Sequence, residues 1–415
     1  MDLMRIKDAM LLNNLNLTEV GYSELEQIIR AWWNRPVVPI TVPPTVFPRN
    51  AIPPIPDELR AVDEAIQFTD YVLINTGKPQ VHTLHGTPEK PIRVICNMAI
   101  NWRTSFFGEN YILHELNYYG DYGTPRIGSP SKNVVVRGCN TRGTLARKAG
   151  FEIGRYPNKI PPETGRIENI LYRDNTIANL GDIETEADQD ATGIAIGQDV
   201  SNLWVLNNTI SRTSGSGLQI CAGRGLRDTT HHIFVGRNTF INCRQSGAFT
   251  KEAVDVIFAY NKAKNILPTP MSAAKGFGYQ YAPDNVWFVA NEVDGAEYGI
   301  YGGSDLGSTG NKIYVTGNVL NNIGLTSVFR PTDAWTSAAI MLMGGTQRYI
   351  WNNKGDNVSC SVCGPGKPIY NLRDNNFIKI RDLAVFIPIG FVTSDLLSID
   401  NIKNMFAARY PGASL

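Results

Sequence analysis

One pattern limits this chain more than any other. Residues 202–210 read NLWVLNNTI, and near copies recur as NILYRDNTI from Asn169, HIFVGRNTF from His232, NVWFVANEV from Asn285 and KIYVTGNVL from Lys312. Each carries three or four apolar residues, then an Asn, then another apolar position. Aligned on that Asn, the candidates are Asn97, Asn140, Asn175, Asn208, Asn238, Asn261, Asn291, Asn318, Asn353 and Asn376. Their spacing is irregular but centres on about 30 residues, the range of repeat architectures. Val, Ile, Tyr, Phe and Trp precede the Asn, and these are strand formers. The pattern predicts short strands at fixed places, joined by loops of variable length.

A second repeat lies between the copies of the first. TGIAIG from Thr192, SGLQIC from Ser216, SGAFTK from Ser246, KGFGYQ from Lys275 and YGIYGG from Tyr298 share a small residue, a Gly, and alternating apolar positions. Each coil therefore holds at least two short strands. Stacked at about 4.8 Å per coil, they predict an all-β chain, a right-handed, single-stranded parallel β-helix. Leu203 and Val205, or Ile194 and Ile196, would point into a continuous core. The recurrent Asn then has an architectural use. At a sharp bend its amide can satisfy an orphaned backbone group, and it tolerates left-handed geometry. Stacked amides can also bond one another in a ladder.

The two ends differ from this array. Leu25, Ile28, Ile29 and Trp32 form a helical stripe, with Ser23 as N-cap and Pro36 as stop. Arg35 to Pro56 is proline-rich and reads as an extended linker. A second helix is expected in PDELRAVDEAIQFTDYVL, and TSDLLSIDNIKNMFAARYPG reads as an amphipathic helix capped by Thr393 or Ser394. The expected organisation is a helical N-terminal segment and linker over 1–56, a helix and first-coil cap over 57–90, the β-helix over 91–380, and a C-terminal capping helix over 381–415. That last helix would cover the open end of the core or pack on a neighbouring chain.

Charge excludes some functions. With 39 basic and 38 acidic residues the formal net charge is +1, so no basic excess points to nucleic acid. No apolar run is long enough to span a membrane. The N-terminus lacks the apolar core and cleavage site of a secretory signal, which predicts cytoplasmic synthesis if Met1 is the native start. Six cysteines are too few for a disulfide scaffold. Cys360 and Cys363 form a CxxC without a second ligand pair, so free thiols or a surface disulfide are expected.

The array, over residues 91 to 378, resembles the pectate-lyase-like β-helix superfamily, which includes pectin and alginate lyases, polygalacturonase-type hydrolases and phage tailspikes. The resemblance implies a fold and a habit, the binding of extended glycans along the outer surface of one sheet. The Gly-His-Gly and Arg-x-Lys signatures of the polygalacturonase branch are absent. The candidate surface is the outward column of the small-Gly strands: Ala195, Gln219, Phe249, Gly278 and Tyr301, then Gly197, Cys221, Lys251, Gln280 and Gly303. Just beyond lie Asp199, Arg224, Glu252, Tyr281 and Asp305.

Two constellations fit chemistry on that strip. FTKEAVDVIFAYN resembles the Ser-Lys-Ser…Asn run of chondroitinase-B and alginate lyases, with Glu252 in place of the following Ser. The resemblance implies Lys251 as the proton-abstracting base and Arg224 as the proton donor. An amine base must be neutral near pH 7, a state that Arg224 favours and Glu252 opposes. Such lyases neutralise the substrate carboxylate with calcium, for which GDIETEADQD offers oxygen ligands, Asp188 and Asp190 among them. The second constellation is a carboxylate pair, Asp199 and Glu252, two coils and so about 10 Å apart. That separation lies at the edge of the inverting-glycosidase range.

A β-helix, the lack of an export signal and a helical, proline-linked N-terminus together match a phage tailspike. It would dock to other virion proteins by its N-terminal segment, form a homotrimer, and bind or depolymerise host surface polysaccharide. The alternatives are a secreted polysaccharide lyase or glycoside hydrolase, and a structural virion protein without glycan chemistry.

Overall fold

The computed structural model describes residues 50–378, apart from 75, 121–123, 144–148, 156–162, 184–189, 224, 270–271, 304–311, 325–336, 344–346, 361, 364–368 and 374, together with residues 399–415. The described residues fall in one compact unit. The expected N-terminal helix, most of the linker, and the Thr393 or Ser394 cap lie outside them.

The described strands pair in parallel throughout, in one 21-stranded and one 10-stranded sheet. Each coil contributes three strands, one more than the two repeats required. Sheet one holds the small-Gly strands, for example Ile194–Ile196, Leu218–Cys221, Ser246–Lys251 and Lys275–Gln280. Sheet two holds the strands that precede the Asn, for example Val200–Leu206, His231–Gly236, Val254–Ala259 and Asp284–Val289. Sheet three follows the Asn with Thr209–Thr213, Thr239–Ile241, Lys262–Lys264 and Glu292–Ala296. Sheets one and two form the 21-stranded sheet because Thr104–His114 and Pro125–Arg137 run through both. This is a right-handed parallel β-helix, the sense that parallel crossovers take. Its coils begin ahead of residue 91, since Thr69–Val72 already pairs with Ile92–Ile95.

Alternation decides which residues fill the core. Ile194, Leu218, Ala248, Phe277 and Ile300 stack in one inward row. Leu203, Ile233, Val256 and Val286 form another, opposite. All of these are fully buried in one continuous cluster.

The Asn ladder closes the corner between sheets two and three. Asn208, Asn238, Asn261, Asn291 and Asn318 are essentially inaccessible. Each accepts the backbone N–H of the ladder residue one coil earlier and donates to the next amide, as in Asn208 N–H to Asn238 Oδ1 at 2.9 Å and Asn238 Nδ2 to Asn261 Oδ1 at 3.0 Å. Three expected members are corrected. Asn97, Asn140 and Asn376 are exposed. Asn375 occupies the last rung, accepting from Asn353 N–H at 3.0 Å. Cys139 stands where Asn140 was expected, its own N–H donating to Asn175 Oδ1 at 2.8 Å. The left-handed residue is also not the Asn. It is the one before: Asn207, Arg237, Tyr260 and Ala290 have φ between 50° and 61°. The amide that follows satisfies the bend, so Arg, Tyr and Ala are tolerated where only Gly is at ease.

The glycines of the second repeat are also architectural. They stack at the corner into sheet one with their missing side chains directed inward. A methyl carbon on Gly217, Gly247 or Gly276 would sit 2.6 Å from the carbonyl oxygen of the next glycine in the stack.

The two described helices differ from expectation, the first in its length and the second in its place. α1 spans only Asp57–Glu64. Ala65 leaves helical geometry with ψ at 137°, and Thr69–Val72, rich in strand formers, joins the solenoid. α2, Ile399–Arg409, does not lie over the end of the core. Both helices pack along the outside of sheet two, whose outward row is apolar: Ile112, Val135, Leu171, Trp204, Phe234, Ile257, Trp287 and Tyr314 are in register and buried. Ala51, Leu59 and Val62 cover one stretch, and Ile402, Phe406 and Tyr410 another. Each large side chain so buried contributes about 1.5–3 kcal/mol. Polar contacts fix both covering segments: Trp204 Nε1 donates to Pro53 O at 2.9 Å, Asp63 pairs with Arg137 and Arg173, and Ser414 N–H donates to Asn50 O at 3.0 Å.

Candidate functional site

With sheet two covered, the outer side of sheet one carries the residues of interest. The register stacks Ala195, Gln219, Phe249, Gly278 and Tyr301 in one row, and Cys221, Lys251 and Gln280 in the next, as the sequence alignment predicted. Gln219, Lys251, Gln280 and Tyr301 are half-buried. At the corner beyond, Asp199, Glu252 and Tyr281 take left-handed φ of 60°, 50° and 64°, which turns the chain from sheet one into sheet two. The Lys251 ammonium lies 5.8 Å from the centre of the Tyr281 ring.

Four predicted residues have other employment. Phe249 is only 4% exposed. Its ring lies over Gly278, whose missing side chain makes the space, and Lys275 sits 5.4 Å from its centre. It is therefore not an open stacking platform. Asp199 pairs with Arg155 at 2.5 Å, and its side chain is 15% exposed. Glu252 accepts the Gly225 N–H at 3.4 Å. Asp190 is exposed and accepts from Gln245 Nε2 at 3.4 Å. Arg224, Asp305 and Asp188 lie outside the described residues. Among the described residues no cluster of three or more His, Cys, Asp or Glu is arranged to hold a metal ion, and Cys360 is buried.

The structure adds residues that the sequence reading passed over. Glu152 continues the Ala195 row one coil earlier, with Arg126 beyond it. Glu152 pairs with Arg103 at 2.8 Å. Arg126 is fully buried although it faces outward, because Glu163 clasps it with two bonds and Gly154 O accepts a third at 2.6 Å. Gly154 and Gly197 meet backbone to backbone, which leaves a floor without side chains between Glu152 and the Asp199 corner. Lys275 donates to Ser272 Oγ at 2.7 Å and lies 5.5 Å from the Tyr301 ring centre. A signal for the earlier coil was present. AGFEIG, residues 149–154, has the small-Gly form of TGIAIG, and extending the alignment upstream would have placed Glu152 on the outward row.

The strip is thus a line of amides, cations and tyrosines with its carboxylates already engaged. It can donate and accept hydrogen bonds along its length and offer ring faces at Tyr281 and Tyr301. No helix among the described residues is long and apolar enough to cross a membrane.

No family model matches the chain, and no curated protein matches its sequence. Solved structures do. A periplasmic alginate epimerase is similar over 70% of this chain and 60% of its own, at 11% identity and a TM-score of 0.42. An alginate lyase from Paenibacillus sp. is similar over 78% of this chain and 93% of its own, at 13% identity and a TM-score of 0.38. The tailspike protein of an E. coli bacteriophage, solved with a pentasaccharide, is similar over 74% of this chain and 57% of its own, at 14% identity and a TM-score of 0.41.

Proposed function

We propose that the outer side of sheet one binds an extended polysaccharide. One observation carries the reading. Half-buried Gln219, Lys251, Gln280 and Tyr301 stand in register on this sheet, while the matching side of sheet two is covered by residues from 51–62 and 402–415. Coils repeat at about 4.8 Å, so the strip offers a regular series of contacts to a regular polymer. Tyrosine faces suit the apolar sides of sugar rings, and amides and cations suit hydroxyl and carboxylate groups.

Binding accounts for the geometry better than cleavage does. Asp199, Glu152 and Glu252 each hold a partner, so the proposed Asp199–Glu252 pair does not stand ready around a water. If the surface cleaves, Lys251 is the base best placed, with Arg224 as donor and a calcium ion at Asp188 and Asp190 as the neutralising charge. The sequence resemblance extends the reading to a phage tailspike, a homotrimer docked to the virion by its N-terminal segment. It extends equally to a secreted polysaccharide lyase or hydrolase.

The test is affinity against a panel of acidic and neutral polysaccharides, with Lys251→Ala and Tyr301→Ala as variants. Both should weaken binding about tenfold or more, the loss of about 1.4 kcal/mol or more. Lys262→Ala, on exposed sheet three, should not. Equal affinity in all three variants would remove the strip from function. Reducing-end and unsaturated-end assays on the same panel separate hydrolysis, elimination and binding alone.

A further inference from the structure

A second stack of polar side chains runs where each coil enters sheet two. Asn110, Asn133, Asn169 and Asn202 all have φ between 52° and 56°, and each of the last three donates its amide to the one before, at 3.0–3.2 Å. Asn169 and Asn202 are the first residues of two of the repeats, and Asn110 and Asn133 take the same place in the two coils before them. In the next two coils the same left-handed position carries His232 and Asp255, and then Asn returns at Asn285. The helix α2 docks where the stack changes.

Asp255 is 1% exposed. Its carboxylate accepts from Arg409 of α2, by Nε at 2.9 Å and by Nη2, and from Asn285 Nδ2 at 2.5 Å. Asn285 Nδ2 also donates to Tyr410 Oη at 3.1 Å, and the Tyr410 ring stands edge-on to His232 and Phe234. On the other side Arg166 Nη2 donates to His231 Nε2 at 2.9 Å, and His231 Nδ1 lies 2.8 Å from His232 Nδ1. The order of donors fixes the neutral tautomers. His231 Nε2 accepts, so its proton is on Nδ1, which donates to His232 Nδ1 and leaves the His232 proton on Nε2. A further proton breaks a bond wherever it lands. On His231 Nε2 it displaces Arg166. On His232 Nδ1 it opposes the His231 N–H and faces the Asp255 carboxylate, 3.6 Å away, in competition with Arg409.

We propose that Arg166, His231, His232, Asp255 and Arg409 form a proton-sensitive latch that holds α2 on the outer side of sheet two at neutral pH and releases it in mild acid. Burial holds both imidazoles below their ordinary 6.5; for His232 the Asp255 carboxylate opposes this and Arg409 adds to it. The docked state therefore binds protons less tightly than the released state. Docking is complete above pH 6.5 and weakens as the pH falls from there through the lower docked values. The other charged groups near the latch are Glu168, beside Arg166, and Asp284, which acts on Arg409 and Tyr410. Release would uncover Phe234, Trp287 and Tyr314.

Hydrogen–deuterium exchange on the full chain, corrected for intrinsic rate, tests this between about pH 7.5 and about pH 5. Protection over 399–409 should fall about tenfold or more, while Val254–Ala259 stays protected. His232→Gln, which cannot take the proton, should keep α2 protected at the lower pH. Arg409→Gln should leave α2 weakly protected at both, with Val254–Ala259 still protected. Unchanged protection in the parent chain, equal loss across sheet two, or the full pH response retained in either variant would overturn the latch.

Discussion

Asn238→Ala is the sharpest probe of the solenoid. The side chain is fully buried and makes four bonds. Nδ2 donates to Val205 O at 2.8 Å and Asn261 Oδ1 at 3.0 Å, and Oδ1 accepts the Asn208 N–H and Nδ2, both at 2.9 Å. Two of the partners keep other bonds: Asn261 Oδ1 still accepts the Asn238 N–H at 3.0 Å, and Asn208 Nδ2 still donates to Tyr172 O at 3.2 Å. The Asn208 N–H loses its acceptor inside a buried corner, and Val205 O loses a donor. An orphaned buried group costs about 1–3 kcal/mol, so the substitution should cost about 2–4 kcal/mol. Urea denaturation gives the global value, and exchange of the Asn208 amide gives the local one. Asn117→Ala is the control, an Asn on exposed sheet three that should change stability by no more than about 0.5 kcal/mol. A loss below about 0.5 kcal/mol at Asn238, with the Asn208 amide still protected, would refute the ladder as a stabilising element and leave it as a spacing device.

Two further outcomes follow from the same geometry. Gly217→Ala should destabilise by about 1–3 kcal/mol or prevent folding, because the added carbon would meet Phe240 Cδ1 at 2.5 Å and Gly247 O at 2.6 Å; denaturant midpoints read this. In native protein near pH 8, iodoacetamide should label half-buried Cys221 ahead of Cys139 and Cys243 by mass spectrometry, because burial pushes those two thiols up to about 12 and about 11.

What was legible in the sequence was whatever repeats in every coil. Alternation put Leu203, Val205, Ile194 and Ile196 inside, and a period of two with a fixed corner residue leaves little choice about which way a side chain points. The Asn corner and the outward row from Ala195 to Tyr301 were readable for that reason. Single coils were not. Cys139 in place of an amide, Asn375 rather than Asn376, and the AGFEIG strand with Glu152 each break the pattern once, and an alignment on one residue type misses them. The short α1 was misread because the apolar spacing of residues 56–73 does not show where a β-branched run will find a strand to pair with.

The sequence by itself determined the solenoid, since its rules are local and repeat with each turn of chain. Only the tertiary structure decided which side of it the described segments 50–64 and 399–415 cover. The apolar row from Ile112 to Tyr314 reads, strand by strand, as one more alternating position. Its burial depends on residues 50–64 and 399–415, far away in sequence, lying across it. The same long-range docking brings Arg409 to Asp255, 154 residues away, and no local pattern carries that distance. Propensity and periodicity act over a few residues. Which face is covered is decided by segments that meet only once the coils have stacked.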